Sequence, residues 1–143
     1  MLAAVVALAL QSASPSASAD LAAVLAEEWE FRLREDPLLA TAAGDHRYDD
    51  RLPSLAREDL ERRDRFRREA LSRLRALDAG LTEADRVNRD MLARELADAI
   101  ADHEFGGFRM PWNADSGFHT ALPQLPVQMP FATPRDYENY LAR

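Results

Sequence analysis

The chain has 143 residues, of which 47% are hydrophobic, so it holds one domain at most and is too apolar for disorder to be the default. A formal net charge of −7 argues against nucleic acid, whose binding needs clustered cations facing phosphate. The absence of Cys excludes disulfides, thiolate metal sites and cysteine nucleophiles, and all 18 basic residues are Arg.

Leu2 to Leu10 is an uninterrupted apolar run, long enough for a signal-peptide core and far short of the roughly 20 residues of a membrane span. It leads through Ser- and Ala-rich sequence to Ala17-Ser18-Ala19, an A-x-A cleavage pattern, and then Asp20. The reading is a signal peptide over 1–19, a mature chain over 20–143, and export to the periplasm or the extracellular space, with no stable membrane span.

From Leu21 onward the pattern is helical. Leu21, Val24, Leu25, Trp29 and Leu33 recur at three- and four-residue spacing. Asp36-Pro37 reads as an N-cap with Pro at the first helical position, opening a short helix that Gly44 ends. A polar connector follows, from Asp45 to Pro53. Ser54 can cap a long helix running to about Ala79, with a thin apolar stripe of Leu60, Phe66, Ala70, Leu71, Leu74 and Leu77. Thr82 and Asp85 make a capping box for the next helix, whose inner face is Val87, Met91, Leu92, Leu96, Ala99 and Ile100. The short Gly80–Thr82 link makes these two helices an antiparallel hairpin.

Gly106 to Pro130 carries Pro111, Pro123, Pro126 and Pro130 with no periodicity, and reads as a long loop without helix or strand. Thr133-Pro134-Arg135-Asp136 is a clean helix start, and Tyr137, Tyr140 and Leu141 then lay down an aromatic face. The fold class is all-α: a long-helix hairpin, shorter helices and a Pro/Gly-rich loop. A freshly capped helix that stops at Arg143 reads as one part of a larger protein, with the aromatic face meant for residues beyond this chain.

Chemical motifs are few. His103-Glu104 starts an H-E-x-x-H pattern, but Gly107 stands where the second imidazole is needed, and Gly106-Gly107 breaks the helix. Asn113-Ala114-Asp115-Ser116-Gly117 fails as a calcium loop, because Phe118 and Gln124 occupy the required Gly and Glu positions. Ser116, His119 and Asp115 match a serine triad in residue type alone. The arginines between Arg62 and Arg68 are interleaved with Glu58, Asp59, Glu61, Asp64 and Glu69, as on a solvated, self-paired face. Asp45, His46, Asp49 and Asp50 are either an acid–base cluster or a capped turn rich in Asx residues, and the turn is the stronger reading.

Four ordered segments carry a resemblance: Asp36-Pro37-Leu38-Leu39-Ala40-Thr41, Gly44 to Pro53, Asp85-Arg86-Val87-Asn88-Arg89-Asp90, and Phe131 to Leu141. Together they resemble the N-terminal part of the bacterial domain of unknown function 885 family, over essentially all of 20–143. The resemblance implies a larger, helical, exported or lipid-anchored protein that looks like a zinc-dependent peptidase of zincin-like fold. Its zinc motif, H-E-x-x-P-G-H-H, would lie far downstream. Nothing here matches that motif, so no catalytic, cofactor-binding or metal residue carries over, and zinc is expected only in the full-length relatives. The implied partners are the catalytic part of the same protein and, through it, a peptide substrate. The segments placed nearest a substrate cleft are the turn at 44–53 and the loop at 111–130, with Asp45, His46, Arg47, Trp112, Asn113 and His119 as candidate contacts. The alternative is a small helical periplasmic binding module that acts through an exposed apolar face.

Overall fold

In a computed structural model the structure describes residues 17–77, 79–110 and 113–143, with only the backbone of Phe118. The apolar run Leu2–Leu10, together with Pro111 and Trp112 of the expected loop, lies outside the described residues. Six α-helices and two 3-10 turns follow one another, with no strand among the described residues.

Helix α1 (Ala17–Glu35) starts before Leu21 and takes in the Ala17-Ser18-Ala19 pattern. Asp36 accepts from the Leu38 and Leu39 N–H groups and caps α2 (Pro37–Ala42), as the Asp-Pro pair predicts. Helix α3 (Arg57–Ala76) is shorter at both ends than the expected 55–79 span. Ser54 instead accepts from Ala56 N–H at 3.3 Å and shapes the approach, while extended Ala56 occupies the cap. Helix α4 (Glu83–Phe105) has the Thr82–Asp85 capping box, and left-handed Gly106 (φ 73°) closes its C-terminus.

Ion pairs give the helix directions. Arg68 meets Glu104, and Arg89 donates to the Leu77 carbonyl, so α3 and α4 form the antiparallel hairpin. Arg73 meets Glu27 and Arg62 meets Glu35, so α1 runs antiparallel to α3. Ser18 donates to Asp85 at 2.6 Å and Arg32 to Glu95 at 3.0 Å, so α1 lies parallel to α4. The hairpin is thus two-thirds of a three-helix bundle.

Its core is Leu21 and Val24 from α1, Ala70, Leu71 and Leu74 from α3, Leu81, and Leu92, Leu96 and Ile100 from α4. Fully burying one such Leu or Ile is worth roughly 1.5–3 kcal/mol, which makes this set the main source of stability. Several expected core positions fall outside it. Trp29 is 43% exposed, while its neighbour Glu28 is buried with Arg32 at 2.8 Å. On α4, Val87 and Met91 are exposed. The buried stripe of α4 is the narrower 92-96-100 line, because one flank of α4 meets no described helix.

The stretch expected to be an irregular loop contains a 3-10 turn (Gly107–Arg109) and helix α5 (Phe118–Gln128), with Pro123 and Pro126 inside it. Proline's fixed φ suits a helix even though each ring removes one N–H donor. The first turn of α5 closes on the Gly117 carbonyl, which accepts from Thr120 and Ala121 N–H. Helix α6 (Pro134–Ala142) follows, with Asp136 accepting from Ala132 and Thr133 N–H at its start. Phe131 packs on Tyr137 and edge-on to Tyr140 at 4.8 and 5.4 Å. Tyr140 is half-buried, and Tyr137 and Leu141 stay exposed. Among the described residues no helix is long and apolar enough to cross a membrane.

Candidate functional site

The turn after α2 is assembled from Thr41, Asp45, His46, Arg47 and Asp49. Asp45 caps the 3-10 turn His46–Tyr48 by accepting from Arg47 N–H at 3.1 Å. The Arg47 guanidinium returns to Asp45 at 2.6 Å and reaches Glu30 of α1 at 2.9 Å. Those hydrogen bonds, side chain first and backbone second, hold the Asp45 carboxyl below the ordinary aspartate range, and they raise the Arg47 pKa further.

Asp49 is buried and takes three partners. Thr41 Oγ1 donates to it at 2.6 Å, His46 Nδ1 lies at 2.8 Å, and the Arg143 guanidinium approaches to 3.6 Å. Arg143 crosses from the end of α6, donating to Thr41 Oγ1 at 2.9 Å and to the Tyr48 carbonyl at 3.3 Å. Its side chain is fully buried, and burial lowers its pKa from the ordinary arginine value. The turn is therefore a lock between α2 and α6. Its carboxylates face cations and hydroxyls, which suits a structural turn and leaves none of them poised as a base.

The remaining candidates lie elsewhere. Asn113 closes a turn of its own, its Oδ1 accepting from Asp115 and Ser116 N–H and from Ser116 Oγ. His119 is exposed on the first turn of α5. His103, at the C-terminal end of α4, stacks on Phe108 at 5.3 Å. A side chain at Gly107, where the zinc motif wants its second histidine, would collide with the Asp102 carboxylate. Among the described residues no three His, Cys, Asp or Glu side chains converge as metal ligands.

Sequence reasoning missed a cleft of about 420 Å³ where α1, α3 and α4 diverge below the core. The stacked rings of Phe31 and Phe66, 3.7 Å apart, line it together with Arg32, Arg63, Arg67 and Glu28, Glu35 and Glu95. The arginine run on α3 was visible in the sequence, but its partners on α1 and α4 come only with the bundle. Arg62 and Arg63 pair with Glu35, and Arg68 with Glu104, in addition to the same-helix pairs Arg57–Glu61 and Arg68–Asp64.

One family model, described as a bacterial protein of unknown function (DUF885), matches residues 37–143. No curated protein and no solved structure matches the chain.

Proposed function

Because the chain belongs to the DUF885 family, we propose that it is the helical, non-catalytic part of an exported hydrolase resembling zinc-dependent peptidases. The observation that carries this reading is the family match over 37–143, on a segment where His46 pairs with Asp49 and His103 stacks on Phe108. In this role the bundle scaffolds a catalytic half, and the turn locked by Asp49 and Arg143 presents Asp45, His46 and Arg47 toward it. Exposed Phe105, Met110 and Leu141 supply apolar surface for that half to cover.

Export rests on Leu2–Leu10 and Ala17-Ser18-Ala19. Cleavage after Ala19 removes the Ser18–Asp85 hydrogen bond and leaves Asp85 to its capping box with Thr82. Mass spectrometry of the exported protein should find Asp20 as the first residue, and intact Met1 recovered from the cytoplasm would sink the export claim.

Reading the nucleotides after codon 143 tests the main proposal. An in-frame continuation carrying a histidine–glutamate zinc motif supports it. A stop codon in a sound assembly overturns it and favours the second reading, a binding module acting through the same exposed apolar residues.

A further inference from the structure

We propose that the cleft between α1, α3 and α4 binds a small monocarboxylate with an apolar tail, gripped by Arg67 and seated against Phe31 and Phe66. Most charges in the cleft are already committed. Arg32 is shared by Glu28 and Glu95 at 2.8 and 3.0 Å. Burial works against its charge, and the hydrogen bonds from Glu95 and Glu28 outweigh that, so its pKa is raised. Glu35 is taken by Arg62 at 2.8 Å and Arg63 at 3.3 Å. Asp36 is spent on the backbone N–H groups of α2.

Arg67 is different. It is half-buried at the cleft, it makes no hydrogen bond to a carboxylate among the described residues, and Asp64 and Asp102 act on it only through space. Burial, then the neighbouring Arg63 and Arg32, lower its pKa. Close by, the buried Arg63 Nε lies 3.3 Å from Glu35 without hydrogen-bond geometry to it. A half-desolvated guanidinium that no carboxylate hydrogen-bonds is stabilised by an incoming acceptor, and a carboxylate matches its planar fork.

The other lining residues choose the ligand. Phe31, Phe66, Leu39, Leu96 and Pro53 form an apolar wall, and a volume of about 420 Å³ falls in the range of small-molecule sites. Glu28, Glu35 and Glu95 border the same space, so a dianion such as phosphate meets about twice the repulsion that a single carboxylate does.

The test is a titration of the purified chain with 3-phenylpropanoate, followed by amide chemical shifts and calorimetry. The neutral 3-phenylpropanamide and inorganic phosphate serve as comparison ligands. Saturable binding is expected for the carboxylate, with perturbed amides confined to the facing turns of α1, α3 and α4. The amide should bind at least about tenfold more weakly. Arg67→Met should lose about the same factor, Arg67→Lys should lose less, and Arg109→Met, outside the cleft, should leave affinity unchanged. The acid–amide comparison on the unaltered chain stands even if an Arg67 variant fails to fold. Equal binding of acid and amide, tighter binding of phosphate, indifference to Arg67→Met, or no saturable shift would each overturn the site. None of these outcomes depends on whether a catalytic half exists.

Discussion

The bundle of α1, α3 and α4 and the stretch from Gly107 to Arg143 are both helical, yet they are held by different forces. The bundle buries nine apolar side chains in one cluster. From Gly107 onward no described residue is buried as a whole, and the Arg143 side chain is the piece most withdrawn from solvent. Helices α5 and α6 owe their form to local devices: a carbonyl that closes a first turn, a Thr-Pro start, an Asp that accepts two N–H groups. Capping makes a helix possible and burial makes it stable, and short helices without a packed face are marginal in water.

The largest way to break the contrast is Leu74→Ala. Leu74 is 0% exposed at the centre of the bundle, so truncation should cost about 2–5 kcal/mol in denaturant unfolding. Val127→Ala, on α5 at 82% exposure, should stay within about 0.5 kcal/mol of the parent. Equal costs at the two sites would mean that α5 contributes to the core.

Arg143→Ala probes the lock where α6 meets α2 and the 44–49 turn. It removes the donors to Thr41 and the Tyr48 carbonyl and leaves Asp49 with Thr41 and His46. The expected local cost is about 1–3 kcal/mol, read as faster hydrogen exchange in α6 and the 44–49 turn, with α3 and α4 unchanged. A matching loss in the bundle would show that the lock is part of the core.

A third test concerns surface rather than stability. Phe105 and Met110 are 88% and 70% exposed, and Tyr137 and Leu141 add apolar area on α6. Purified chain should bind an apolar dye and self-associate, and Phe105→Ser with Met110→Ser should reduce both without moving the unfolding midpoint. Dye binding that is unchanged would place the sticky surface elsewhere.

The smallest effect is in acid. Asp85 is held below its ordinary range first by the Ser18 hydroxyl and then by Thr82, and Asp136 first by the Thr133 backbone N–H. A carboxyl whose folded pKa is depressed contributes stability that is complete above the unfolded value of 3.8, and loses it as pH falls through the folded value. Helicity should therefore hold at pH 5 and fray below about pH 4, at the start of α6 before the start of α4, because only α4 is buried behind its cap. Fraying that begins near neutral pH would contradict that assignment.

The same division separates what the sequence shows from what it hides. Caps are chemical and local, so Asp36-Pro37, Thr82 with Asp85, Gly106 and Thr133-Pro134 can be read straight from the chain. The hairpin follows from a short link between two long periodic segments. What does not follow is the identity of the third helix's neighbours. Trp29 looks like a core residue by spacing, yet it faces solvent, because α1 sits mainly on α3 and turns Glu28 and Arg32 inward toward Glu95. Pro123 and Pro126 argue for a loop on propensity alone, yet both lie within α5, whose first turn is closed at Gly117. The turn's Asp45–His46–Arg47–Asp49 set is visible as a cluster. Its use as a lock is not, since Arg143 lies almost a hundred residues away along the chain. The Arg67 cleft is hidden for the same reason, being a property of three helices at once.

Native-state hydrogen exchange of the purified chain tests the central claim most directly. The account predicts a single slow-exchanging unit made of core amides from α1, α3 and α4, and exchange within a few fold of unprotected rates across α5 and most of α6. Protection of α5 and α6 equal to that of α3 would contradict it, and would mean that residues 17–143 are one cooperative unit rather than a stable bundle with a loosely attached helical tail.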